Sequence, residues 1–188
     1  RLYVEVERWD AVGQEAVLHV SRPGWIISSS EDTTIYLFYD SSAPDNTAYV
    51  GDPGDVAAQN VWNSDYSAVY HLCQDPSGGS NCIIDSTSNA RHGTPQGSMT
   101  SNDLVDGKVG KALDFDGSDD KISIPVSLID NTLFTVFVLF KSSDTSSKAL
   151  IGKGASGESQ GTNILLFRPH GANTLESVSY THLTLPTN

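Results

Sequence analysis

The chain has 188 residues, with 11 basic against 23 acidic side chains and a formal charge of −12. That balance argues against nucleic acid or an anionic membrane surface as a partner. No apolar run reaches the length needed to cross a bilayer; the most conspicuous, Phe134–Phe140, is strand-sized. In chain order, Leu2–Glu7 sets Leu, Val and Val against Tyr, Glu and Glu, which predicts a half-solvated antiparallel strand. Ala16–Val20 and Ile35–Tyr39 are predicted as strands in the same way, separated by turns rich in Ser, Gly, Pro and Asp. Asp52-Pro53-Gly54 is a turn, and Asp55–Asn60 fits one helical turn capped by Asp55. A domain boundary is placed near Asn60–Asn63. No helix of ten or more residues has a convincing amphipathic pattern, so the chain is predicted to be all-β.

The densest chemistry lies further on. Gly107 and Gly110 lead into an alternating strand (Ala112–Phe115), followed by an Asp-Gly turn and a second alternating strand (Lys121–Ile124), together predicting a hairpin. Asp114, Asp116, Asp119 and Asp120 crowd its turn, a density that solvent, hydrogen bonds or a cation must absorb. Upstream, Asp85 opens a loop in which Ser86, Ser88 and Asn89 can turn the backbone. Two readings are open. Calcium takes six to eight oxygens, and Asp85, Asn89 and Asp119, with Asp116 as a weaker choice, are the ligands expected for a structural ion. Alternatively Asp85 and Asp116 form Asx turns, and Asp119 and Asp120 are solvated hairpin tips.

The order AVYHL, DSTSNARHGT, GKALDFDGSDDKISIP and LFTVFVLFKSSDTSSKALIGKG resembles the opening half of a laminin G-like, concanavalin A-like jelly roll. The corresponding segments are Val69–Leu72, Asp85–Gly93, Leu113–Gly117 and Phe134–Gly154, with Leu139 standing where that family usually carries Trp. Residues 1–61 resemble the end of a bacterial β-rich domain that commonly precedes such modules. The resemblance implies an antiparallel β-sandwich over residues 62–177, part of a larger secreted or surface-displayed bacterial protein. The resemblance implies no fixed activity, because such jelly rolls host lectins, adhesins and accessory modules of enzymes; non-catalytic recognition of a glycan or surface protein is the function expected. A structural spacer, or an accessory module of a polysaccharide-degrading enzyme, are the alternatives. From Val178 to Thr187 the chain matches the translation of a sequencing adapter (gtc tct tat aca cat ctg acg ctg ccg acg), so residues 178–188 are expected to be an artefact.

Hydrolases of the concanavalin A-like group usually carry Glu-x-Asp-x-Glu on one strand face. This chain has six Glu (5, 7, 15, 31, 158 and 176), and Glu5-Val6-Glu7 has the alternation without the motif, so no catalytic site is expected. Among His19, His71, His92, His170 and His182 no spacing supports zinc; His71 is expected in the core, and His92 as a ring that orients a turn. Cys73 and Cys82 flank a Pro-Ser-Gly-Gly turn and are either a disulfide or a pair of thiols. The extracytoplasmic character that the resemblance implies favours the disulfide. Trp9, Trp25, Tyr36, Phe38, Tyr39 and Trp62 could stack on sugar rings. Core packing is expected for most of them, at least one of Phe38 and Tyr39 facing inward, and Trp25, beside Pro23-Gly24, is the best candidate for exposure.

Overall fold

The computed structural model describes residues 1–124, 128, 134–142 and 150–152, and the backbone of 164–169 and 175–180. The chain forms two compact units, Arg1–Leu128 and Ile129–Asn188. It is rich in β-strand, with almost no helix.

In the first unit, β1 (Tyr3–Asp10) pairs antiparallel with β2 (Glu15–Ser21). The connecting turn is closed by the Asp10 carboxylate, which accepts from Val12 N and Gly13 N. The Gly13 N–H, with the Arg8 guanidinium beside it, holds the Asp10 carboxyl below the ordinary carboxylate range. On its other side β1 pairs in parallel with the short β3 (Val50–Gly51), so β1 is the middle strand of three. The single helical turn, α1 (Val56–Gln59), packs against β1 with Ala57 and Ala58 buried. Asp55 stands at its N-cap as expected, but its carboxylate accepts from Asp52 N and makes no bond to the helix.

The Glu face of β1, expected to be half-solvated, is covered: Glu5 is 0 % exposed. The residues covering it come from the expected boundary at Asn60–Asn63 and from beyond it, since Trp62 and His71 both bond to Glu5.

Downstream, Ile83 and Gly93 form an isolated antiparallel bridge. A Cβ at Gly93 would lie 2.5 Å from Ile122 Cγ2, so only glycine lets these segments close. The strands β4 (Thr94–Gln96), β5 (Leu104–Asp106), β6 (Lys111–Leu113) and β7 (Lys121–Ser123) follow. Here the expected hairpin is corrected. Its first arm, β6, pairs with β5, and its second, β7, pairs with β4, so the two arms belong to separate ladders. The Asp-rich loop between them closes on itself through side chains instead, with Asp120 Oδ2 accepting from Asp116 N and Asp116 Oδ1 from Ser118 N.

Two further strand expectations are also corrected. Residues 33–40 are irregular, and Phe38 and Tyr39 are 90 % and 91 % exposed, so neither faces a core. Residues 134–142 are likewise irregular, with Phe137 and Leu139 exposed. In both places the apolar pattern pairs with no strand among the described residues, and an alternating sequence without a ladder is not a strand. In the second unit β8 (Ile164–Pro169) and β9 (Leu175–Tyr180) form an antiparallel hairpin with Ile164 opposite Tyr180. Residues 143–149 and 153–154 of the expected apolar strand, together with Glu158, His170, His182 and residues 181–188, lie outside the described residues.

The core among the described residues is small: Ala57, Ala58, Val61, Ile83 and Leu113 are buried, alongside Glu5, Asp85, Ser86 and Thr87. With nearly as many polar as apolar residues buried, cohesion of the first unit depends on how well those polar groups are paired.

Candidate functional site

The most unusual chemistry in the chain is a buried cluster of two carboxylates and two imidazoles. Glu5 stands directly opposite His19 in the β1–β2 ladder. The register then slips between Val6 and Arg8, leaving Glu7 as the extra residue of a β-bulge. A bulge re-aims the side chain it carries, and Glu7 Oε2 comes to 2.7 Å from His19 Nε2. His71, brought in from the segment after α1, lies between the carboxylates, with Nε2 3.0 Å from Glu5 Oε2 and Nδ1 3.2 Å from Glu7 Oε2. Its ring stacks on His19 with centroids 4.5 Å apart. Trp62 Nε1 donates to Glu5 Oε2 at 2.7 Å.

Two details of the backbone serve this arrangement. Leu72, immediately after His71, adopts φ +56°, a left-handed conformation that costs a non-glycine residue about 1–2 kcal/mol. Gly110 has the same φ, and any Cβ there would overlap Glu7 Oε1. The small-residue approach noted in the sequence therefore makes room for a carboxylate of β1.

Charge balance at the cluster is tight. Among the described residues no lysine or arginine pairs with Glu5 or Glu7; the imidazoles are their only basic partners. Glu5 Oε1 is buried and has no hydrogen-bond partner. Cys73, two residues beyond His71, is a free thiol whose pKa burial, and next the charge of Glu7, push up to about 11, so it is a poor nucleophile at neutral pH. The expected Cys73–Cys82 disulfide is not formed in this structure. Cys73 Sγ accepts from Gln74 Nε2, while Cys82 Sγ is turned to Pro76 O.

Beside the cluster opens a cleft of about 480 Å³, lined by Trp25, Trp62, Tyr66, His19, Arg22 and Asn60 among others. Trp25 N donates to Arg22 O, closing a turn with Pro23 and a positive-φ Gly24 at its centre. Trp25 is half-buried in this turn, whereas Trp9, Tyr36, Phe38 and Tyr39 are exposed, which corrects both the choice of Trp25 as the most exposed aromatic and the core packing expected of most of them. Trp62 meets Tyr66 edge-on at 5.3 Å and His19 at 5.4 Å, so one indole belongs to both the cleft and the cluster.

No protein-family model, curated protein or solved structure matches this chain.

The residues expected to hold calcium divide. Asp85 is 0 % exposed, and its carboxylate is occupied by Val69 N, Thr87 N, Thr87 Oγ1 and Arg91 N. It makes the Asx turn that was the alternative, and it ties the 85–93 loop to the Val69 segment. Asn89 Nδ2 donates to Tyr66 O and Ser67 O. His92 orients the same loop, Nδ1 accepting from Asp85 N at 3.1 Å. Burial, and next the Asp85 charge, raise the pKa of Tyr70 well above the ordinary phenol value; its hydroxyl donates to Arg91 O. Asp116 and Asp119, by contrast, do come together with Asp120: one oxygen from each lies within 4.8 Å of the others. Asp120 Oδ1 is buried there without a hydrogen-bond partner.

The sequence singled out neither Glu5, Glu7 and His19 as a site nor Trp62 as their partner. The available signal was the Glu-x-Glu alternation, which puts two carboxylates on one strand face. What the sequence did not show is the partner, since Trp62 and His71 lie 57 and 66 positions from Glu5.

Proposed function

We propose that this chain is a non-catalytic, extracellular recognition module that binds carbohydrate in the cleft beside Trp62. The observation carrying the reading is an open cleft in which Trp25, Trp62 and Tyr66 offer aromatic surface, with Arg22 and Asn60 as hydrogen-bonding groups among them. Flat aromatic rings cover the apolar face of a sugar, and a few placed polar groups fix its hydroxyls. The net charge of −12 favours a neutral or basic glycan over an acidic one. A two-sheet jelly roll over residues 62–177 is proposed on the order of the four motifs and on the strand-rich character of the chain.

Trp25 is the residue to test, because unlike Trp62 it is not bonded to Glu5. Trp25→Ala is expected to weaken retention by a neutral polysaccharide in affinity gels about tenfold, the loss of one stacked ring, with the melting temperature unchanged. Equal retention of both proteins contradicts the cleft as the binding surface; retention of neither favours a spacer role.

Calcium enters this proposal as a loop-shaping ion held by Asp116, Asp119 and Asp120, whose carboxylate oxygens lie within 4.8 Å of one another. Removing calcium with a chelator is expected to lower the melting temperature by a few degrees, and Asp119→Ala to abolish that difference. An unchanged melting curve after chelation withdraws the ion.

A further inference from the structure

We infer that Glu7, His19 and His71 form a binding site for a divalent transition metal of the zinc class. The proposal is independent of carbohydrate binding in the cleft. Two imidazole nitrogens and a carboxylate oxygen form the donor set that borderline cations prefer, and it is unlike the all-oxygen sets of calcium and magnesium. The three donor atoms lie within 4.8 Å of one another. Tetrahedral zinc with ligands at 2.0–2.2 Å holds them about 3.3 Å apart. Glu7 Oε2 is already 3.2 Å from His71 Nδ1 and 2.7 Å from His19 Nε2, so on an ion the first pair keeps its spacing and the second parts by about 0.6 Å.

The surroundings are what such a site requires. A metal-bound imidazole usually gives its other ring N–H to a carboxylate, which fixes the ring and strengthens the ligand. With Nδ1 of His71 on the ion, Nε2 donates to Glu5 Oε2, and Glu5 is itself fixed by Trp62 Nε1. Glu5 is fully buried with Oε1 unpartnered, a cost that stands out in a site with no lysine or arginine. The bulge that aims Glu7, the left-handed Leu72 that delivers His71, and the glycine that vacates space at position 110 all maintain this convergence. Such local departures from regular backbone concentrate at functional sites. His19 lines the cleft, so the site borders it.

The experiment is calorimetric titration of Zn²⁺ alone into the tag-free full chain, previously stripped with a chelator, with Co²⁺ as a visible-absorption probe of coordination. His19→Gln is the decisive variant. His19 sits on the edge strand β2 with its side chain 29 % exposed, so its loss leaves the fold standing, as a melting curve verifies. His92→Gln is the control.

The expected result is one zinc per chain and visible cobalt bands. His19→Gln should weaken affinity by at least the about 10–100-fold that loss of an outer-shell partner costs, and His92→Gln should leave it unchanged. Absence of saturable zinc binding overturns the proposal, as does binding that survives His19→Gln.

Discussion

Replacing Glu5 with Ala is expected to destabilise the protein more than any other single change in β1. Its carboxylate is the acceptor for Trp62 Nε1 and the partner of His71 Nε2, and all of it is buried. Removing it leaves the Trp62 indole N–H without its acceptor and the His71 ring without its partner, at about 1–3 kcal/mol for each buried polar group. For a chain of this length that corresponds to a fall in melting temperature of about 5–20 °C. Glu5→Gln should fall less, since an amide oxygen still accepts from the indole. The ordering wild type, Gln, Ala in thermal melts checks the account; equal melting of all three would show that Glu5 is not in this environment.

Asp85→Ala is expected to have a comparable effect through a different mechanism. Here four donors lose one carboxylate acceptor, three of them backbone N–H groups with no other partner among the described residues. Each buried donor left unsatisfied costs about 1–3 kcal/mol, and because they share one acceptor the sum is less than additive, about 3–5 kcal/mol in all. Asp85→Asn keeps an oxygen for Val69 N and Thr87 N but replaces the acceptor of Arg91 N with a donor, so it should lie between. Chemical denaturation with an unchanged slope and a lower midpoint is the expected observation. A variant as stable as the parent would mean that the loop does not depend on this residue.

The sequence spoke clearly wherever a local rule sufficed. Tyr3–Asp10 and Glu15–Ser21 extend the two predicted N-terminal strands, Val56–Gln59 is the predicted helical turn, and Asp85 forms the Asx turn its neighbours suggested. It failed wherever the answer depended on a distant partner. Ile35–Tyr39 has the alternation of a strand but no ladder. Leu113 and Lys121 flank a turn that could close a hairpin, yet each arm finds a better partner upstream, β5 for one and β4 for the other. Glu5 and Glu7 look like a solvated face because charged residues usually are. Only the return of Trp62 and His71 onto β1 makes that face an interior one. Pairing across roughly sixty residues leaves no periodic trace in a single sequence.

Trp62 gives the most direct measurement of that convergence. The chain has three tryptophans, and in a proton–nitrogen correlation spectrum each gives one indole N–H signal. Trp9 is 70 % exposed and serves as the internal reference. The Trp62 indole proton, held by a buried carboxylate, is expected to resonate further downfield and to exchange with solvent much more slowly than that of Trp9. It should lose both properties in Glu5→Gln or Glu5→Ala. A Trp62 signal that exchanges as fast as Trp9, and is unmoved by either substitution, would contradict the buried cluster on which the account is built.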